Sequence, residues 1–336
     1  MNIDDNSGKG TSPGSLGYGL ATVQDQPWIL ETVLAATGGR LLGSARQVVF
    51  RSVCTDTRVL EPGDLFVALA GENFDGESFA AAAVARGAAG LVLSRPPASA
   101  MPVPVVLVAD TLRALGDLAG WRRSRMPDLR VLAITGSSGK TTVKEMTAAI
   151  LARKLPILKT AGNFNNLVGL PLSLLPVDAR HRVAVLEMGM NSPGEIARMT
   201  EIADPDLACI NNIQAAHLQG LDDINGVARA KEELYAGLKP GATLVVNLDD
   251  PLVRKMAEHY PQARITFGCH RQALIRATHV RTGSARGVSF TLHLDGQRCR
   301  VRLRCVGRHN VLNALAAAAL AHGVGIGIGD IQLGLE

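Results

Sequence analysis

A run typical of a buried β-strand leads directly into a glycine-rich turn in Val131-Leu-Ala-Ile-Thr-Gly-Ser-Ser-Gly-Lys-Thr-Thr142. The residues that follow, 143–153, are predicted to form a helix. This strand–loop–helix order is what a phosphate-binding loop requires, because glycines let backbone N–H groups approach phosphate oxygens and the helix N-terminus adds partial positive charge. The stretch therefore predicts an α/β fold organised around a nucleotide-binding loop.

Two side chains in this loop have the chemistry that a bound nucleoside triphosphate needs. Lys140 can reach the β- and γ-phosphates, and the Thr141 hydroxyl can ligate Mg²⁺. The loop is a variant of the usual pattern, because the leading glycine of that pattern is replaced here by Ile134. This replacement restricts the families of nucleotide-binding proteins that the loop can resemble.

The composition fits an α/β protein of two domains. The chain has 336 residues, of which 47% are hydrophobic and only 4% aromatic, so its cores are expected to be aliphatic, as in buried parallel sheets. The net charge of +5 is modest. Arg298, Arg300, Arg302 and Arg304 alternate along a predicted strand. A solvated charged face is favoured there over nucleic-acid binding, because no aromatic residues that stack on bases are interleaved.

The cysteines and the apolar runs predict a cytoplasmic protein. Five cysteines lie along the chain without any CxxC spacing, which indicates free, reduced thiols. The most apolar stretch, 311–328, is interrupted by Asn313, His322 and several glycines, so no membrane span is predicted.

The sequence pattern divides the chain into three segments. Residues 1–25 are rich in Gly, Ser and Asp and are predicted to be disordered. Residues 26–126 are predicted to form a small α/β domain, which a polar linker at 125–130 ends. Residues 127–336 alternate between strands and helices, which predicts a mostly parallel sheet covered on both faces, with antiparallel strands at an edge within 274–306.

Polar residues end three of the predicted strands of the second domain. Glu187, Asn211 and Asn247 each follow an apolar run, and ligands of open α/β sheets bind at the carboxyl ends of the strands. We interpret Glu187 as a metal ligand, because a carboxylate is the hard oxygen ligand that Mg²⁺ prefers. The alternative is a helix-capping or surface carboxylate.

Several other polar residues have two interpretations from the sequence alone. His217 taken singly is typical of a structural histidine, and Lys231 of a solvated lysine on a helix. The asparagines of Gly162-Asn-Phe-Asn-Asn166 are either turn and cap residues or donors to a substrate phosphate. Asn310 either caps the following helix or joins Asn313, one turn later, at a ligand.

Together these motifs resemble the Mur ligases, the ATP-dependent amino-acid and peptide ligases of bacterial cell-wall synthesis. The resemblance covers about residues 27–336. It rests on the runs Thr135-Gly-Ser-Ser-Gly-Lys-Thr-Thr142, Leu186-Glu-Met-Gly189, Pro193-Gly-Glu-Ile196, Asn211-Asn212, Ala216-His217, Ala230-Lys231 and Gly307-Arg-His-Asn310.

Further runs are similar to those of one member of the family, the enzyme that joins D-alanyl-D-alanine to UDP-N-acetylmuramoyl-tripeptide. These runs are Thr55-Asp-Thr-Arg58, Pro62-Gly-Asp-Leu-Phe-Val-Ala68, Gly71-Glu-Asn-Phe-Asp75, Thr142-Val-Lys-Glu-Met-Thr147 and Gly162-Asn-Phe-Asn-Asn166. The resemblance implies ligation through an acyl phosphate, with ATP, the UDP-linked tripeptide and the dipeptide as partners. A sibling ligase that adds a single amino acid and a non-catalytic binding module remain alternatives.

The resemblance also implies a role for each matching position. Catalytic roles fall to Lys140, Lys231 and His217. The metal ligands, expected to hold two Mg²⁺ ions, are Thr141, Glu187, His217 and a carbamylated Lys231. ATP is expected at Gly136, Ser137, Ser138, Gly139, Lys140, Thr141, Thr142, Asn247, Asn310 and Asn313. The substrate is expected at Thr57, Arg58, Asn73, Asp75, Gly76, Asn163, Asn165 and Asn166.

The length of the chain differs from the family pattern. The family has three domains, and this chain ends near the expected start of the third, which helps to bind the incoming amine. We therefore expect a chain that lacks this C-terminal domain, is monomeric, binds the UDP-linked substrate and ATP, and ligates poorly alone.

Overall fold

The computed structural model describes residues 27–43, 47–71, 74–214, 223–283 and 287–336, which build two α/β sheets of unequal size. The strands are β1 (Trp28–Ile29), β2 (Arg40–Leu42), β3 (Val49–Phe50), β4 (Val53–Cys54), β5 (Leu65–Val67), β6 (Ala70–Gly71), β7 (Phe74–Asp75), β8 (Gly90–Leu93), β9 (Val105–Leu107), β10 (Arg130–Thr135), β11 (Ile157–Lys159), β12 (Val183–Glu187), β13 (Leu207–Ile210), β14 (Thr243–Asn247), β15 (Ala263–Gly268), β16 (Ile275–Thr282), β17 (Val288–Leu294) and β18 (Gln297–Leu303). The α-helices are α1 (Leu30–Thr37), α2 (Ala80–Ala85), α3 (Thr111–Ser124), α4 (Lys140–Leu151), α5 (Gly169–Leu174), α6 (Glu195–Ala203), α7 (Ile224–Ala236), α8 (Pro251–Ala257), α9 (His309–Gly323) and α10 (Ile328–Leu335).

The larger sheet has nine strands in the order β11-β12-β10-β13-β14-β15-β16-β17-β18. Neighbours from β11 to β16 are parallel, and β17 and β18 add antiparallel pairs. The central strands are buried on both faces, with α4, α9 and α10 on one side and α5 to α8 on the other. The predicted α/β class, with a mostly parallel sheet and an antiparallel edge, is confirmed.

The phosphate-type loop lies at the centre of this sheet. Strand β10 pairs with β12 on one side and with β13 on the other, so the loop after it opens where the strand order reverses. Ligands of doubly wound sheets bind at such a switch point. The topology therefore places residues 136–139 beside the ends of β12 and β13.

The antiparallel edge contains one β-bulge. The pairing register between β16 and β17 shifts between Thr278 and Arg281, and His279 there has a φ of 50°. Because of this extra residue, Val280 packs toward the core while Arg281 lies opposite Ser289. The alternating arginines at 298, 300 and 302 of β18, and Arg304 just after it, are all exposed, so the predicted charged face is confirmed.

The smaller sheet has five strands in the order β2-β9-β8-β5-β4, of which only the β2–β9 pair is antiparallel. Helices α1 and α3 pack on one face and α2 on the other. Sequence reasoning missed α1 and β2. The left-handed Gly38 that ends α1 is the signal that could have shown this helix, because glycine commonly stops helices in that way.

Helix α3 joins the two sheets. Arg123 Nη2 lies 3.3 Å from Asp206 Oδ2, and Asp117 pairs with Arg198 of α6. The segment 125–130, predicted as a polar linker, connects α3 to β10 and contributes Met126 and Leu129 to the shared core. Within the ranges that the structure describes, no helix is long and apolar enough to cross a membrane.

Candidate active site

The loop between β10 and α4 needs glycine at position 139 for two reasons. Gly139 has a φ of 78°, in the left-handed region that side chains disfavour. A Cβ atom there would lie 2.3 Å from Asn313 Oδ1. The backbone therefore passes directly against Asn313 of α9.

The serines of the loop are fixed by the segment that follows β13. The Ser138 N–H donates to Asn212 Oδ1 over 2.9 Å, and the Ser137 N–H donates to the Asn212 carbonyl over 3.0 Å. The first N–H groups of α4, by contrast, have no acceptor inside the helix, because a helix leaves its first turn unpaired. The loop thus has a rigid outer side and a helix N-terminus suited to anions.

Lys140 lies across the mouth of the loop. Its Nζ donates to the Gly136 carbonyl over 2.9 Å. This hydrogen bond keeps the ammonium beside the loop backbone, so that both could contact the same phosphates. Burial lowers the pKa of Lys140, and the nearby charge of Glu187 opposes that shift. Lys140 therefore lies in a shielded position close to the carboxylate at the end of β12.

Glu187 is 2% exposed and uses its two carboxylate oxygens differently. Oε1 accepts hydrogen bonds from Thr141 Oγ1 at 3.2 Å and from Asn165 Nδ2 at 2.8 Å. Oε2 is buried and has no hydrogen-bond donor among the described residues. A buried carboxylate oxygen without a donor, next to a threonine hydroxyl, fits a hard oxygen-preferring cation such as Mg²⁺.

Two of the predicted site residues lie outside the described residues. They are His217, a predicted metal ligand, and Asn73, a predicted substrate-binding residue of the first domain. In the part of the chain that the structure describes, no group of three or more His, Cys, Asp or Glu side chains forms a metal cluster. The fit to Mg²⁺ therefore rests on the Glu187 and Thr141 oxygens.

Lys231 lies on α7 and is 2% exposed. Burial, together with the charge of Lys140, lowers its pKa to about 7. No hydrogen bond or ion pair to its Nζ occurs within the described ranges. A buried lysine that is partly neutral near pH 7 is a nucleophilic amine rather than a solvated cation.

Four asparagines form a hydrogen-bonded chain from the sheet to α9. Asn247 Nδ2 donates to the Asn211 carbonyl, Asn211 Nδ2 to Asn313 Oδ1, and Asn313 Nδ2 to Asn310 Oδ1, over 2.8, 2.9 and 3.0 Å. Asn310 does not cap α9, because Arg308 occupies that position and the Asn310 amide donates to the Val306 carbonyl. The predicted nucleotide asparagines are thus brought together, and much of their polarity is used to fix the loop.

The asparagines after β11 differ in their contacts, and one of them has the turn and cap role that the sequence left open. Asn165 reaches Glu187, as described above. Asn166 Oδ1 accepts from the Gly169 N–H over 2.8 Å at the start of α5, which is a turn and cap role. Asn163 is exposed, and no side-chain contact of it is found among the described residues.

A cavity of about 590 Å³ lies in the first domain, and we call it the first-domain cavity. It is lined by Thr55, Asp56, Thr57, Arg58, Phe66, Leu69, Ala70, Gly71, Gly76, Phe79 and Val168. It brings together three of the predicted substrate residues, Thr57, Arg58 and Gly76. Asp75 is not among the lining residues, because its carboxylate accepts from the Glu77 N–H and pairs with Arg95.

Comparison with known proteins agrees with this geometry. The model of the Mur ligase middle domain matches residues 134–321, which is more than half of the chain, and that of the Mur ligase family catalytic domain matches residues 49–123. This chain belongs to the Mur ligase family.

Its relatives include the UDP-N-acetylmuramoyl-tripeptide–D-alanyl-D-alanine ligases of Escherichia coli K12 and Haemophilus influenzae. They are 42% and 39% identical over 88% and 94% of this chain. The chain spans 65% and 67% of their lengths, respectively.

Solved structures give the same relationship. A crystal structure of MurF from Acinetobacter baumannii matches 93% of this chain and 68% of its own, with a TM-score of 0.86 and 37% identity. The MurF ligase of Thermotoga maritima in complex with ADP matches 84% of this chain and 65% of its own, with a TM-score of 0.76 and 29% identity.

In this Mur ligase chain, sequence reasoning left three residues of the site without a role. Asn211 and Asn212 follow β13 and hold the loop, and Lys144 lies beside Glu187 Oε2 at 3.7 Å. The spacing of Lys144, one turn after Lys140 on the same helix, is the signal that could have identified it.

Proposed function

We propose that this chain carries the nucleotide- and UDP-substrate-binding machinery of an ATP-dependent ligase that joins D-alanyl-D-alanine to UDP-N-acetylmuramoyl-tripeptide in the cytoplasm. Residues 127–336 bind ATP and residues 26–126 bind the UDP-linked tripeptide. The observation that carries the proposal is the meeting of the loop, the donor-free Glu187 Oε2 and the buried Lys231 at one end of the sheet. The relatives that carry this activity in their names support the choice of substrates.

The reaction transfers one phosphoryl group and forms one amide bond. The terminal carboxylate of the tripeptide attacks the γ-phosphorus of ATP, the bond to the β-phosphate oxygen breaks, and ADP leaves. The dipeptide amine then attacks the carbonyl carbon of the acyl phosphate. Inorganic phosphate leaves, and the amine nitrogen loses a proton. No protein nucleophile is needed, so the work of the protein is positioning and electrostatic stabilisation.

The loop residues supply that stabilisation. Backbone N–H groups at the start of α4 bind phosphate oxygens, and Lys140 exchanges its contact with the Gly136 carbonyl for the phosphates. The helix backbone orients these N–H groups and a hydrogen bond holds Lys140 before the nucleotide arrives, so little reorganisation accompanies the reaction.

Glu187 and Thr141 provide oxygen ligands for Mg²⁺, and His217 and Lys231 complete the proposed set for two ions. When bound, Mg²⁺ neutralises charge on the transferring phosphoryl group. Lys231 serves as a carbamate, because an amine whose pKa is about 7 is partly neutral and can attack CO₂. The carbamate replaces a buried cation with an anionic oxygen ligand.

The first-domain cavity is proposed to bind the UDP-linked substrate through Thr57, Arg58 and Gly76. Arg58 is 86% exposed, so its guanidinium is available to an anionic group such as a diphosphate. Gly76 keeps the cavity wall close, because a Cβ there would lie 2.2 Å from the Leu69 carbonyl oxygen.

The test measures ADP binding and ADP release by the purified 336-residue chain. Mg²⁺-dependent ADP binding, with release from ATP only when the UDP-linked tripeptide and D-alanyl-D-alanine are both present, supports the full proposal. Release with a single amino acid in place of the dipeptide indicates a sibling ligase. Binding of ADP and of the UDP-linked tripeptide without release of ADP from ATP indicates a binding module. The proposal is contradicted if the chain shows no Mg²⁺-dependent nucleotide binding.

Carbamylation is tested separately by incubation with ¹³C-bicarbonate. A carbamate carbon resonance is expected in the wild-type chain and is expected to be lost in Lys231→Arg. The same resonance in both proteins would contradict the assignment to Lys231.

A further inference from the structure

The function proposed above gives no role to the buried ammonium of Lys144. This residue belongs to the run 142–147 and follows Lys140 by one turn of α4. Its side chain is only 1% exposed. A fully buried lysine is costly unless its charge is compensated, so its contacts should show what it does.

Lys144 Nζ has three oxygen neighbours from three parts of the chain. The Gly162 carbonyl accepts its hydrogen bond at 3.1 Å, Glu145 Oε1 lies at 3.2 Å, and Glu187 Oε2 lies at 3.7 Å. The first contact reaches the asparagine segment after β11, and the last reaches the end of β12. One cation therefore links the helix of the phosphate loop to both.

The separation from Glu187 Oε2 is informative. At 3.7 Å the two charges attract, but the contact is too long for a normal hydrogen bond, so Oε2 keeps its lone pairs. The other oxygen of Glu187 is oriented by Asn165, and Asn165 lies on the segment whose Gly162 carbonyl Lys144 holds. Lys144 thus acts on both oxygens of the Glu187 carboxylate. It attracts Oε2 by its charge, and it acts on Oε1 through the segment that carries Gly162 and Asn165.

The geometry points to Lys144 as a positioning residue that compensates the charge of Glu187 and holds residues 162–166 in place before a metal ion arrives. This inference rests on the proposed function, because it takes Glu187 to be the Mg²⁺ ligand. Lys144 and the ion share the task of balancing one buried carboxylate. Removing Lys144 should therefore make the fold depend on the ion.

The test compares thermal unfolding of Lys144→Met with and without Mg²⁺, in the absence of nucleotide. Lys159→Met is the matched control, because Lys159 pairs with the same Glu145 but is 43% exposed. We expect Lys144→Met to lower the unfolding midpoint strongly without Mg²⁺ and to regain a large part of that loss with it, by mass action on the folded state. Wild type and Lys159→Met should gain much less, and Lys144→Arg should behave like wild type.

An equal Mg²⁺ increment in Lys144→Met, wild type and Lys159→Met would overturn the inference. If Lys144→Met does not fold, the variant carrying both Lys144→Met and Glu187→Gln decides, because it removes both charges. Recovery of folding in that variant supports charge compensation, and continued failure to fold shows that Lys144 is merely a packing residue.

Failure of this inference can be distinguished from failure of the proposed function. Mg²⁺-dependent ADP binding by wild type together with an equal Mg²⁺ increment in all variants would reject the role of Lys144 alone. Absence of that binding in wild type would reject the proposed function.

Discussion

At the end of the nine-stranded sheet, Glu187 and Asn211 are at most 2% exposed, and hydrogen bonds to neighbouring elements fix both residues. In the first-domain cavity, by contrast, Arg58 is 86% exposed and its guanidinium pairs with Asp56, two residues away. The first region is ordered by its own polar network, and the second offers exposed charge around a partly apolar wall. Under the proposed function, this difference predicts that the nucleotide binds to a preformed site, whereas the UDP-linked substrate must order its own contacts.

Replacing Lys140 by Met should give the largest effect. We expect Mg²⁺-dependent ADP affinity to fall on the order of a hundredfold, because a shielded cation at the phosphates contributes charge-assisted hydrogen bonds. Isothermal titration of ADP measures this, with Lys159→Met as a control that keeps wild-type affinity. A loss of ADP affinity below roughly threefold, which is within the ordinary variation of such contacts between sites, would argue against a preformed phosphate site.

Replacing Lys231 by Met tests the cost of burying charge in the preformed region. The pKa of this lysine falls from 10.5 to about 7 on folding, so the unfolded chain binds more protons between these values. Lys231 therefore destabilises the fold fully below pH 7, and this cost is lost as the pH rises toward 10.5. In CO₂-free buffer, Lys231→Met should raise the free energy of unfolding by a few kcal/mol at pH 7 and by progressively less at alkaline pH.

Denaturant unfolding of both proteins across this pH range measures the difference. A stability gain that does not change with pH would show that Lys231 is solvated in the folded chain.

Replacing Gly139 by Ala should be a smaller disturbance of the same region. The left-handed φ and the contact with Asn313 Oδ1 together are expected to cost about 1–3 kcal/mol of stability. Gly162→Ala is the matched control, because Gly162 also has a positive φ but no atom lies within 4 Å of its Cβ position. Equal losses of unfolding free energy in the two variants would mean that Asn313 and the hydrogen-bonded asparagines can shift to admit the Cβ at little cost.

Replacing Arg58 by Ala should have the smallest effect on the fold and a selective effect on binding. The unfolding midpoint should not change, because exposed ion pairs contribute little to stability. Affinity for the UDP-linked tripeptide should fall, while ADP affinity stays at the wild-type value. Losing both affinities together would show that the two regions are not separate sites.

Local sequence determines the parts of the site that were predicted. The strands β10, β12 and β13 are apolar runs buried on both faces, so their polar ends at Glu187 and Asn211 had to lie at the edge of the sheet. The glycine spacing then located the phosphate loop. These features depend on residues that are adjacent in the chain.

The features that were missed depend on partners distant in the chain. Lys144 has the sequence context of a solvated helix residue, but it is buried and contacts Gly162 and Glu187, which are distant in the chain. Asp75, which was expected to face the substrate, pairs with Arg95, twenty positions later in the chain. No periodicity in the sequence reports such pairings.

The bulge at His279 changes which residues of β16 face the core, from odd-numbered to even-numbered positions. Before it, odd-numbered residues such as Ala277 face the core, and beyond it the even-numbered Val280 does so. Deleting His279 alone would restore the regular alternation, with Val280 still facing the core and Arg281 still opposite Ser289. Strand β16 can therefore lose one residue at this point without changing the face that any following residue presents, which a strand without a bulge cannot do.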